Sequence, residues 1–92
     1  MAKYHIKYTA KAEEDIKKFK KAGNKLAENK IKKLLKEIAD HPRTGTGHPE
    51  PLKYRPYCWS RRITKEHRLV YEIQDDVVVV LVLAAYGHYD DN

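Results

Sequence analysis

The sequence has a single cysteine, Cys58, so it can close no internal disulfide and build no cysteine-based zinc site. Its stability has to come from packing. Basic neighbours could lower the thiol pKa, but a small buried hydrophobe is the reading preferred for Cys58. No apolar run approaches the roughly 18 residues that a membrane-spanning helix needs, and the longest, Val77 to Ala85, has the length of a strand. The opening MAKYHIKY lacks the apolar core of a signal peptide. These features predict a cytoplasmic protein with no membrane partner. A length of 92 residues excludes a second domain, so one domain is expected over residues 1–92. None of the histidines stands at metal-ligand spacing from another His or a carboxylate, which predicts no metal and no cofactor.

What the chain does have is charge. It is 41% hydrophobic and 35% charged, apolar enough to fold and too charged for a fibre or a membrane protein. The net charge of +6 and a pI near 9.4 point to a polyanionic partner. Placement is more telling than the total. Lysines crowd the first half, as on solvated helix faces, whereas Arg43, Arg55, Arg61, Arg62 and Arg68 all fall in the second. The planar guanidinium fork suits phosphate, so the second half is where a site is expected.

Along the chain, Tyr4, Ile6 and Tyr8 alternate with His5 and Lys7, as in a half-buried strand. Thr9 is suited to cap a first helix, with Glu13, Glu14 and Asp15 in its opening turns, Ala12, Ile16 and Phe19 on one face, and Gly23 as its stop. Asn24 is suited to cap a second helix, whose Ala27, Ile31, Leu34, Leu35 and Ile38 keep the 3.6-residue period up to His41-Pro42. The link is so short that the two helices should form an antiparallel hairpin laid on a sheet. HPRTGTGHPEP carries three of the four prolines and two of the four glycines and reads as a loop. Strands are expected at about Tyr57 to Ile63, His67 to Ile73 and Val77 to Tyr86, with a further short one at Leu52 to Tyr54. Val77 to Ala85 is apolar on both faces and should not be an edge. The predicted fold is α+β, in the order β-α-α-β-β-β, with the helical hairpin on one face of a mainly antiparallel sheet.

Side-chain alternation predicts which face is open. Leu69, Tyr71 and Ile73 should face the helices, so Arg68 points away from them. In the strand before, Tyr57, Trp59 and Ile63 are the buried set, with Arg61 sharing their parity, and Arg62 joins Arg68 on the open face. Glu50 stands between Pro49 and Pro51, which restrict its backbone on both sides and pre-position its carboxylate as a proton acceptor. Gly87 can turn His88 and Tyr89 back toward the arginines, and a histidine is the natural proton donor near neutral pH. Spacing alone also fits plainer roles, with Glu50 on a solvated loop and His88 on a frayed terminus.

HPEPLKY at His48 to Tyr54, CWSRRITKEHRLVYEI at Cys58 to Ile73 and GHY at Gly87 to Tyr89 occur in an order that resembles the Txe/YoeB toxins of the RelE superfamily. The resemblance is close over the second half and covers the helical half by pattern. It implies a ribosome-dependent messenger-RNA endonuclease that cuts the codon in the A site and inhibits translation, its partners being mRNA, the ribosome and a cognate antitoxin of the YefM/Axe kind. Whether the toxin forms a homodimer within the antitoxin complex is left open. Carried over by position, Glu50 resembles the general base on a ribose 2′-hydroxyl and Arg68 the group that holds the scissile phosphate. His88 resembles the general acid on the 5′-oxygen, with Tyr89 positioning the nucleotide, and Lys53 and Arg62 match basic positions nearby.

Metal-free RNA cleavage needs a base, an acid and cationic stabilisation of the phosphoryl charge, and these residues supply one group for each role. The chain departs from the family pattern at Asp90, Asp91 and Asn92, which follow the His-Tyr pair and are expected to form a disordered tail pointing away from RNA. Two rival readings belong to other classes: a non-catalytic binding module of the same fold, such as one acting on DNA gyrase, and a plain basic RNA-binding domain. Retention of Glu50, Arg68 and His88 together argues against the gyrase type.

Overall fold

The computed structural model describes residues 3–53 and 55–85, with side chains through residue 81. Two helices lie on a five-stranded sheet. The elements are β1 (His5–Tyr8), α1 (Ala10–Lys21), α2 (Lys25–Asp40), β2 (Glu50–Pro51), β3 (Cys58–Arg62), β4 (His67–Gln74) and β5 (Val77–Ala85). The sheet order is β1-β5-β4-β3-β2, antiparallel throughout except for the parallel β1–β5 pair. This is the expected α+β arrangement.

Both helices start where their sequence signals put them. Thr9 is extended and its side chain accepts the Ala12 N–H at 3.0 Å, and the Asn24 side chain accepts the Ala27 N–H at 3.1 Å. Each satisfies an N–H that the first helical turn cannot use. Gly23, at φ +70, follows α1 and lets the chain turn directly into α2. Ala12, Ala27, Ile31, Leu34 and Ile38 then pack with Ile63, Leu69, Tyr71, Ile73, Val78 and Val80 from the sheet to form the core. Asp15, read as a charge for the helix start, is buried instead and accepts from Lys11 Nζ at 2.7 Å.

β5 is an inner strand, flanked by β1 and β4, as its continuous apolar character required. A register shift between Val70 and Tyr71 marks a bulge: Val70 faces Val82, but Tyr71 faces Val80. Beyond it the ladder carries β5 to Ala84 opposite Arg68 and Ala85 opposite His67.

Four expectations change. The short strand is at Glu50–Pro51, with Leu52 and Lys53 beyond its end and Tyr54 outside the described residues. It is the last strand of the sheet, where a proline costs no ladder bond on its outer side. Tyr57 is not in the core: at φ +69 it turns the chain into β3 with its ring exposed, and its carbonyl accepts the Ile73 N–H at 2.8 Å. Tyr8 is likewise exposed rather than sharing the burial of Tyr4 and Ile6. Finally, the sheet face turned from the helices is not open along its length. Leu52, Cys58 and Val70 are buried there and Leu81 packs against them, a second small apolar cluster.

Candidate active site

β3 organises the site because its alternating residues serve opposite faces. Trp59 and Arg61 lie on the helix side, while Cys58, Ser60 and Arg62 lie on the other. Pairing extends the second set across three strands. Ser60 is opposite Glu50 of β2 and Val70 of β4, and Arg62 is opposite Arg68. Directly opposed residues of antiparallel strands share a face, so Glu50, Ser60, Arg62 and Arg68 belong to one surface, with neighbouring strands about 4.8 Å apart. Arg68 Nη1 donates toward Ser60 Oγ at 3.5 Å, a side-chain tie between β4 and β3 on this face.

Exposure divides the row. Glu50 and Arg62 are exposed, whereas Ser60 and Arg68 are only 3% exposed. The expectation that Arg68 points away from the helices holds, but the expected open setting does not. Its side chain is shielded from bulk water, and a cation so placed acts more strongly on a nearby anion. Lys53 is exposed beyond the end of β2, and no strand pairing places it in the row. His88 and Tyr89, the expected acid and its neighbour, lie outside the described residues, as does the Asp90–Asn92 tail. Among the described residues no three His, Cys, Asp or Glu side chains gather as metal ligands.

The residue that sequence reasoning left without a role is Arg61. It is fully buried on the helix side and acts as a hub for the loop that leads to Glu50. Nη2 donates to the carbonyls of His41 at 2.5 Å and Thr44 at 2.6 Å, Nη1 to Glu37 Oε1 at 3.1 Å and to the Thr46 carbonyl at 3.4 Å, and Nε to Tyr71 Oη at 3.1 Å. Tyr71 Oη in turn donates to the Pro42 carbonyl at 2.5 Å. The Glu37 carboxylate accepts from the Thr46 N–H and hydroxyl, each at 2.8 Å. The Thr46 N–H, helped by the Thr46 hydroxyl and by Arg61, holds the Glu37 carboxyl below its ordinary pKa, with partial burial opposing them. Burial pushes the Tyr71 hydroxyl up, against the pull of Arg61. The buried cation therefore meets loop carbonyls that have no ladder of their own.

The tie continues to the edge of the site. Arg62 N–H donates to the Gly47 carbonyl at 2.7 Å, laying the loop on β3 three residues before Glu50. Gly47 has φ +85, and a Cβ there would stand 2.9 Å from the Arg62 carbonyl oxygen. Only glycine meets both conditions. Glu50 is thus bracketed by two prolines, by this loop contact and by its β2–β3 pairing.

The two-layer α+β domain of this strand order has the RelE-like toxin fold. The family described as "YoeB-like toxin of bacterial type II toxin-antitoxin system" matches residues 8–89. The chain belongs to that family. It is 49% identical to Toxin YoeB of Escherichia coli (strain K12) over 61 residues, which cover 65% of this chain and 70% of that one. The YoeB dimer from Staphylococcus aureus superposes with a TM-score of 0.81 at 37% identity, covering 96% of this chain and 100% of that one. The heterotetrameric YoeB-YefM toxin-antitoxin complex from Staphylococcus aureus gives a TM-score of 0.77 at 38% identity, covering 96% and 100%.

Proposed function

We propose that this toxin is a ribosome-dependent endoribonuclease that cuts messenger RNA in the A site without a metal. The observation that carries this reading is the register that sets Glu50, Ser60, Arg62 and Arg68 on one face. Glu50 takes the proton from the ribose 2′-hydroxyl, whose oxygen attacks the adjacent phosphorus. Arg68, with Arg62 beside it, stabilises the charge that builds on the phosphoryl oxygens. The bond from phosphorus to the 5′-oxygen breaks as His88 delivers a proton to that oxygen, with Tyr89 positioning the nucleotide. The restraint of the Glu50 backbone by its prolines and its β3 pairing suits a reaction in which alignment of the hydroxyl supplies much of the acceleration.

The cognate antitoxin would be YefM-like, as in the Staphylococcus aureus complex. An acidic segment that folds on binding would cover the same arginine-bearing face. The test is a cleavage assay on ribosomes stalled with a defined A-site codon, run in chelator. The purified toxin should cut the message, and Glu50→Gln and His88→Ala should each abolish cutting while still binding the ribosome. Cleavage by both variants at the wild-type rate would refute the assignment.

A further inference from the structure

A second basic feature adjoins the candidate active site. A cleft of about 360 Å³ opens between α2, the loop and the β3–β4 turn, lined by Lys30, Gly47, His48, Arg62, Thr64 and Lys65. We propose that it is a second phosphate site, which takes a backbone phosphodiester of the RNA flanking the scissile one; this rests on the RNA-cleaving reading above.

Its lining is basic and open to a chain passing through it. The Gly47 backbone forms one wall against β3, through the 2.7 Å bond from Arg62 N–H, and His48 follows at φ +50. The β3–β4 turn also lines it, its backbone fixed by Thr64 Oγ1, which accepts the N–H groups of Glu66 and His67, each at 3.1 Å. Lys30, Arg62 and Lys65 supply three cations, His48 lines the cleft beside them, and no carboxylate does, although Glu66 is exposed beside Lys65 on the turn. Continuity favours RNA over an acidic peptide. Arg62 lines the cleft and also pairs with Arg68, so a strand with one charge per nucleotide can run from Arg68 past Arg62 into it.

The test measures binding of a short single-stranded 2′-O-methyl RNA, which cannot be cleaved by 2′-hydroxyl attack, at several salt concentrations. Lys30→Gln with Lys65→Gln should weaken binding roughly five- to tenfold and make the salt dependence shallower by about 0.7 to 1. Lys65→Gln alone, on an exposed turn where folding is not at stake, should give a smaller loss in the same direction. Lys32→Gln with Lys36→Gln, an equal charge change on the exposed side of α2, should leave both quantities near wild type. Unchanged affinity and slope in the cleft variants, an equal loss in the Lys32/Lys36 control, or a loss of acidic-partner binding with RNA binding intact would each overturn the proposal. If RNA binding is unchanged while ribosomal cleavage by the wild type proceeds, the cleft alone is refuted. If the wild type neither binds the oligonucleotide nor cuts message, the reading beneath it fails as well.

Discussion

Arg61 and Arg62 are consecutive residues with the same side chain and opposite employments. Arg61 enters the helix side, is fully buried, and is met by three carbonyl oxygens, a carboxylate and a phenol. Arg62 leaves the other side exposed, in register with Arg68. The pleat alone separates a cation that builds the loop from a pair suited to hold a phosphate. The basic run SRR thus serves two faces in two settings, and net charge describes neither.

The largest effect should come from breaking the buried half. Arg61→Ala leaves three loop carbonyls and a phenol without their donor and empties a fully buried position, and should cost about 3–5 kcal/mol. At about 4–8 °C per kcal/mol for a domain of this size, thermal melting should fall by well over 10 °C. Lysine should rescue little, since one ammonium cannot reproduce the fork. A melting temperature within a few degrees of wild type would erase the contrast with Arg62.

Arg68→Ala should lower cleavage by about 10²–10³-fold, the scale for loss of one transition-state donor. Because Arg68 is 3% exposed, its removal should also cost some stability, unlike Arg62→Ala, which should leave melting nearly unchanged. Lysine at position 68 should restore part of the activity. Wild-type cleavage by Arg68→Ala in the folded state would remove it from the site.

Gly47→Ala probes the seam between the two faces. The positive φ and the 2.9 Å approach to the Arg62 carbonyl should together cost about 1–3 kcal/mol, read as a lower denaturation midpoint at unchanged slope. The smallest effect should be the pH dependence of the buried tie. The Glu37 pKa is depressed in the folded state, so its contribution is present above the unfolded carboxyl pKa and is lost as pH falls through the lower folded value. Glu37→Gln should be less stable at neutral pH, and its deficit should narrow on acidification. A deficit that stays constant down the acid limb would deny Glu37 this role.

The legibility of these features in the sequence followed how local their causes are. Thr9 and Asn24 cap their helices through bonds three residues away, so both starts were readable, and the periodicity of Ile31, Leu34 and Ile38 marked the buried face. The parity of Arg61 with Trp59 was visible too. Its meaning was not, because the partners are carbonyls of a loop 15 to 20 residues away, and no side-chain pattern records a carbonyl. The prolines around Glu50 read as loop, yet as an edge strand that stretch needs only one paired side. The apolar cluster of Leu52, Cys58 and Val70 was missed for a related reason: its members come from three separate strands or their ends, one residue from each.

The end groups of the cut message test the central claim most directly. With Glu50 deprotonating the 2′-hydroxyl and His88 protonating the 5′-oxygen, mass spectrometry should find an upstream fragment ending in a 2′,3′-cyclic phosphate or 3′-phosphate and a downstream fragment beginning with a 5′-hydroxyl. A downstream fragment bearing a 5′-phosphate, the usual product of metal-activated water, would contradict the mechanism.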